Sequence, residues 1–366
     1  LLFNTIHQVN YRYNKIMPTN KSTPYIFLSE EIAVILQEKS YQLALKGGPQ
    51  EKGNQKLAED IATELFELFN DNDKKLINDY ITGKITHLVF DGFLNTDIDG
   101  NPIKLPQENQ FPTLEELEAD IEVLKLASQE QIILALLNET TFAFDSENEG
   151  KIVRIVANFR GGGTQKLASE APDGSSHSGK AVVPHTEDPY YSSTKVEQGH
   201  SPSPSSLILT ARWNPLSETT KVAPIEQVLS QLSKEEIVAL ASENFNFRAA
   251  KTASEGKSAG GTHIAILSLS HEGKLTANYN SERFSVDPAA SKFIKDTYTK
   301  FSQLTAEIEF EEINLQPNRT LVINNPLSFH CRDTVKDNRR VLVRIFGYRK
   351  NVDYLLINQD PLIVKG

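Results

Sequence analysis

The chain has 366 residues and a net charge of −10, from 38 Lys and Arg against 48 Asp and Glu. A chain this long buries a sizeable core unaided, and its single cysteine, Cys331, excludes a disulfide framework within the chain and a thiolate zinc site. The acidic balance argues against a broad nucleic-acid-binding face, and no apolar run reaches the ~20 residues of a membrane span.

At the N-terminus the only methionine is Met17, so residues 1–16 read as an upstream extension. An organelle-targeting piece is the rival reading, because the first 29 residues contain no Asp or Glu. A cytoplasmic protein is the favoured expectation. Residues up to about 140 read mainly as helix. Ser29 followed by Glu30 and Glu31 is a cap with an acidic first turn, and Gly47-Gly48 is a stop. Residues 56–69 carry Leu57, Ile61, Leu65 and Leu68 on one face. Thr113 and Glu116 form a capping box that predicts one helix over 113–137, and residues 85–90 predict a strand.

After about residue 140 the texture becomes β-like. Strands are expected at 151–158, 181–186, 206–213, 262–270, 319–325 and 340–348, with helical interruptions at 225–242 and 288–306. Many short strands without regular helical alternation predict a sandwich or jelly roll, not a doubly wound sheet. Residues 160–180 form a long Gly- and Ser-rich loop, read as a functional lid or a mobile segment.

Of the eight histidines, only His185 has an acid two residues on, Glu187. About one such match is expected by chance, so the pair is weak evidence alone. Val182-Val183-Pro184 leads in as a strand, however, and positions i and i+2 of a strand share a face. His330 follows the apolar strand Thr320-Leu321-Val322-Ile323 and offers a third ligand. Two imidazoles and a carboxylate make the facial triad of a non-haem Fe(II) site, with open positions for a bidentate 2-oxo acid and O2. A dicarboxylate cosubstrate needs a fixed cation. Arg344 supplies one, 14 residues after His330 within the alternating strand Arg340 to Phe346.

These motifs, His185-Thr186-Glu187, His330-Cys331-Arg332 and Arg344, resemble those of the Fe(II)/2-oxoglutarate-dependent oxygenases. The group nearest in pattern is the clavaminate synthase-like branch, which includes amino-acid hydroxylases. The resemblance covers roughly residues 150–350. It implies a double-stranded β-helix, a cupin-like jelly roll, occupying about 141–350, with 17–140 as a mainly helical buttress, all in one domain over 17–366. It implies Fe(II) held by His185, Glu187 and His330, with 2-oxoglutarate and O2 as cosubstrates and Arg344 and Thr220 binding 2-oxoglutarate. The implied reaction is decarboxylation of 2-oxoglutarate to succinate coupled to hydroxylation of an unactivated C–H. The presence of Glu187 favours hydroxylation or desaturation over halogenation.

The expected substrate is a free or carrier-linked amino acid. Asn280 and Glu282 occupy the segment where the branch places side-chain contacts, and Glu282 favours a basic substrate such as lysine. Ser176 and Arg332 are further candidates for substrate contact. Competing expectations are the same chemistry on a small sulfonate, betaine or peptide natural product, and a non-catalytic cupin-like metal-binding protein.

Overall fold

A computed structural model describes residues 23–97, 99–248 and 260–366, so the expectations for residues 1–16 and Met17 lie outside the described residues. In chain order the first elements are β1 (Tyr25–Phe27), α1 (Glu30–Ala44), α2 (Asn54–Leu68), α3 (Asp71–Ile81), β2 (His87–Asp91), α4 (Leu114–Ala119) and α5 (Ile121–Leu136). There follow β3 (Glu139–Phe144), β4 (Arg154–Ala157), β5 (Val182–His185), β6 (Ser206–Trp213), β7 (Thr219–Pro224), α6 (Glu226–Leu229) and α7 (Lys234–Leu240). Next come β8 (Phe245–Phe247), β9 (Gly261–Ile264), β10 (Leu267–Leu269), β11 (Leu275–Ala277), β12 (Phe284–Val286) and α8 (Lys292–Glu307). The chain closes with β13 (Glu311–Asn314), β14 (Arg319–Asn324), β15 (Ser328–Arg332), β16 (Val341–Arg349), β17 (Leu356–Gln359) and β18 (Leu362–Val364).

Two sheets position the site. A nine-stranded sheet runs β1-β2-β14-β6-β16-β3-β18-β17, with β4 also paired to β16. A four-stranded antiparallel sheet runs β13-β7-β15-β5. Both faces of the large sheet are buried, and the sequence shows why. Along β16, Val341, Val343 and Ile345 face the helices, while Leu342 and Phe346 face the other way. The second face joins Val222 of β7 and Ile313 of β13 in one cluster with Leu342 and Phe346, so the two sheets pack through it. On the first face α5, buried almost all round, lies between α1 and α2 and the strands β3, β6 and β16. Among the described residues no helix is long and apolar enough to cross a membrane.

Several elements depart from expectation for local reasons. The single helix expected over 113–137 is two, because Asp120 ends α4 and caps α5 by accepting from the Glu122 N–H. A carboxylate that can serve as a new cap competes with helix continuation. The strand expected at 262–270 divides into β9 and β10, and the helical stretch 225–242 into α6 and α7. Helix α3 carries few apolar residues, and its anchors are the Asn70 cap and buried Ile77 and Tyr80. The long loop 160–180 is tied down by bonds from Phe159 and Arg160 N–H to the His177 carbonyl and from Gly179 N–H to Gly161 O.

A buried polar chain links the helices to the large sheet. The Tyr80 hydroxyl lies 2.7 Å from Ser206 Oγ, which donates to Glu139 Oε1 at 2.7 Å. Burial pushes the Glu139 carboxyl up to about 7, against the opposing pull of Arg349 and Ser206. Between the ordinary carboxylate range and about 7, folded Glu139 keeps a proton that the unfolded chain has released. Stability therefore falls as pH rises through that window. Glu139→Gln should flatten this part of the dependence, measured as urea-unfolding free energies of wild type and variant at pH ~5 and ~8.

Candidate metal centre

The site begins with strand register. Strands β5 and β15 pair antiparallel with His185 directly opposite His330, and their ring centroids lie 4.1 Å apart. Glu187 sits just past the end of β5, where its N–H donates to Asn325 Oδ1 at 2.7 Å. Asn325 lies in the tight turn between β14 and β15, and its Nδ2 donates to the Pro204 carbonyl at 3.0 Å. One fully buried amide thus ties the carboxylate segment to the turn that launches the His330 strand. One ligating atom from each of His185, Glu187 and His330 falls within 4.8 Å of the others.

Protonation suits metal binding. His185 Nδ1 lies 2.9 Å from the Val183 carbonyl, which can only accept, so Nδ1 carries the proton and Nε2 the free lone pair. Burial, reinforced by His330, pushes His185 down to about 3, so it is neutral at physiological pH. Burial alone would raise Glu187. Arg344, His330 and His185 together outweigh it and hold the carboxyl well below its usual range. Two imidazoles and one anionic oxygen form a donor set that fits a first-row divalent ion such as Fe(II).

The surrounding charges form a connected group. Arg344 donates from Nη1 to Glu187 Oε1 at 3.3 Å and from Nη2 to Glu147 Oε1 at 2.6 Å, with its guanidinium 4.1 Å from the Phe346 ring centroid. Arg154, the cross-strand partner of Arg344, reaches Glu147 at 3.3 Å and donates from Nε to Ser176 Oγ at 2.6 Å. Arg283 donates from Nη1 to Asp188 Oδ2 at 3.1 Å, beside Glu187 in sequence. Each buried cation here has an acid, as its desolvation requires.

Among the residues singled out from sequence, the structure brings His185, Glu187, His330 and Arg344 together. Thr220 is buried on β7, on the face shared by Val222 and by His330, which Val222 pairs. Arg332 donates to the Ser178 carbonyl, and burial together with Arg340 pushes it down to about 10. Asn280 is buried and bridges to His185, while its Oδ1 accepts from the Glu282 N–H. Ser176 borders the site through Arg154. Glu282 stands apart, with its side chain exposed.

Sequence reasoning passed over Glu147, Arg154, Asp188, Arg283 and Asn325, which belong to no recognisable motif. It also passed over Arg340, for which a signal existed: Arg340 shares the strand parity of Arg344. Only 3% exposed, Arg340 has Nε and Nη2 buried with no hydrogen-bond partner. The acid nearest in effect is Glu218, whose two oxygens already accept from the Lys336 and Asp337 N–H groups.

No protein-family model and no curated protein matches the sequence. Solved structures do match. The non-heme iron oxygenase OrfP in complex with Fe and alpha-ketoglutaric acid superposes with a TM-score of 0.66 at 18% identity, over 89% of this chain and 93% of that one. OrfP with Fe, succinate and (3R,4R)-dihydroxy-L-Arg gives a TM-score of 0.66 at 18% identity, over 88% and 94%. Asparagine oxygenase with Fe(II), 2S,3S-3-hydroxyasparagine and succinate gives 0.63 at 15% identity, over 88% and 92%. The chain therefore has the fold of these iron oxygenases.

Asn325→Ala should loosen Glu187 while leaving all three ligands in place. The expected result is metal affinity lower by about 10–100-fold, the usual scale for a lost supporting contact, read by competition with a chromophoric chelator. Unchanged affinity in a folded variant would refute the positioning role.

Proposed function

We propose that this protein is an Fe(II)- and 2-oxoglutarate-dependent oxygenase that hydroxylates a free amino acid. The observation that carries the reading is the His185–Glu187–His330 group, with Arg344 set against its carboxylate, in a chain with the fold of such enzymes. The solved relatives hold Fe with alpha-ketoglutaric acid, or Fe with succinate and a hydroxylated amino acid. On this reading residues 17–366 form one oxygenase domain, the two sheets being the halves of a double-stranded β-helix. The lone Cys331 suits a reducing, cytoplasmic setting.

When bound, iron with 2-oxoglutarate and O2 supplies the oxidant for an unactivated C–H, and 2-oxoglutarate leaves as succinate and CO2. The protein's own residues do the rest. His185 presents Nε2 because the Val183 carbonyl fixes its tautomer. Glu187 stays anionic because Arg344 faces it. Both Nη groups of Arg344 are taken by Glu187 and Glu147, whereas Arg340 keeps Nε and Nη2 buried without partners. We therefore place the distal carboxylate of 2-oxoglutarate on Arg340, with Arg332 and Thr220 beside it, and assign Arg344 to the mouth of the site. This moves the clamp four residues from the position expected from sequence. The mouth, with Glu147, Arg154 and Ser176, offers both charges that the ammonium and carboxylate of a free amino acid require.

The test is succinate formation that depends on Fe(II), 2-oxoglutarate and an amino acid. His185→Ala should abolish it. Arg340→Ala should raise the KM for 2-oxoglutarate by at least about ten-fold, since a charge-assisted hydrogen bond is worth ~1.5–3 kcal/mol. Coupled turnover that survives in His185→Ala protein would overturn the proposal. An unchanged KM in Arg340→Ala would return the clamp to Arg344.

A further inference from the structure

Arg283 lies on the metal's side of the molecule and does not come from any motif. It closes the turn that begins at Asn280: Asn280 Oδ1 accepts from Glu282 N–H, and the Asn280 carbonyl accepts from the Arg283 and Phe284 N–H groups. Asn280 itself bridges to His185. The turn therefore hangs on the strand that carries the first metal ligand, and it sends Glu282 outward and Arg283 inward. The guanidinium reaches Asp188, the residue after Glu187, through Nη1 at 3.1 Å.

The other edge of that guanidinium, Nε with Nη2, makes no hydrogen bond to any described residue. It is not sealed in the core either, because the side chain is 22% exposed. Two parallel N–H groups on one open edge are the fork that receives a carboxylate in two bonds. Arg154 and Arg344 at the same mouth lack such an open edge, since Arg154 Nε is bonded to Ser176 and Arg344 Nε is buried.

The charge balance points the same way. Around the centre stand Arg154, Arg283 and Arg344 against Glu147, Asp188 and Glu187. Glu187 and one carboxylate of 2-oxoglutarate together balance a divalent metal. The remainder is three cations against two anions, which a zwitterion of no net charge leaves unbalanced and an anionic one completes.

We infer that the substrate is an amino acid whose side chain ends in a carboxylate, received by the Nε–Nη2 edge of Arg283. This rests on the oxygenase reading of the same site and reverses the sign of side-chain charge expected from Glu282.

The experiment is binding without turnover. The full chain is loaded with Ni(II) and 2-oxoglutarate, and L-aspartate, L-glutamate, L-asparagine, L-glutamine, L-lysine and L-arginine are titrated by calorimetry. One acid is expected to bind about ten-fold or more tightly than its own amide, the scale of one charge-assisted contact. Arg283→Gln should bring that ratio to about one while 2-oxoglutarate binding is retained, and Arg283→Lys, which keeps the charge without the fork, should give an intermediate ratio. Tightest binding by lysine or arginine, a ratio that survives Arg283→Gln, or no binding by any of the six overturns the inference. Failure of the wild-type chain to bind 2-oxoglutarate with Ni(II) counts instead against the oxygenase reading.

Discussion

His185 and His330 meet because β5 and β15 pair with these two residues directly opposite, and everything else at the centre depends on that register. Side chains alternate between faces along a strand, so a slip of one residue would turn one imidazole away from the other. The register has supports on both sides. β15 also pairs with β7, where Val222 lies opposite His330 and fills the core between the sheets. Phe329, on the opposite face of β15, is fully buried in a separate cluster with Tyr279 and Phe301. A slipped β15 would move Phe329 out of that cluster, so hydrophobic packing fixes where the ligands stand.

The second constraint is electrostatic. Arg340 stands one residue before β16 and Arg344 four positions further on within it, so at ~3.3 Å per residue their backbones stand about 13 Å apart. One of these guanidinium groups has both Nη atoms taken by Glu147 and Glu187, and the other has Nε and Nη2 unpaired. Burying a guanidinium without partners costs several kcal/mol. A fold that retains such a group is stabilised when an anion arrives, so on the proposed function cosubstrate binding would be coupled to folding stability.

Much of this was legible because strong local signals agreed with the tertiary structure. The apolar run at β6 predicts its ends to the residue, and the Ser29 cap predicts the start of α1. His-x-Glu on a strand, a distal His and a following arginine strand carried the centre. What stayed hidden depends on contacts distant in sequence. Asn325 supports Glu187 across 138 positions, and Glu147 meets Arg344 across 197, neither with a local pattern. Arg340 and Arg344 could not be ranked from the sequence, because they have the same residue type and the same parity in the strand expected over 340–348. Only the acids that take both Nη groups of Arg344 and miss Arg340 separate them.

The same limit explains the change in expected substrate. Glu282 and Arg283 are adjacent, and either could have faced the site. The decision is made by Asn280, whose side chain accepts from the Glu282 backbone and holds a tight turn. That hydrogen bond points the glutamate to solvent and the arginine to Asp188. A single side-chain-to-backbone bond, next to a metal ligand, thereby sets the sign of the charge that an incoming side chain encounters. The overall acidity of the chain carries no information about it, because the field at the mouth comes from a few buried groups within hydrogen-bond reach, while most of the chain's charge is exposed and screened by solvent.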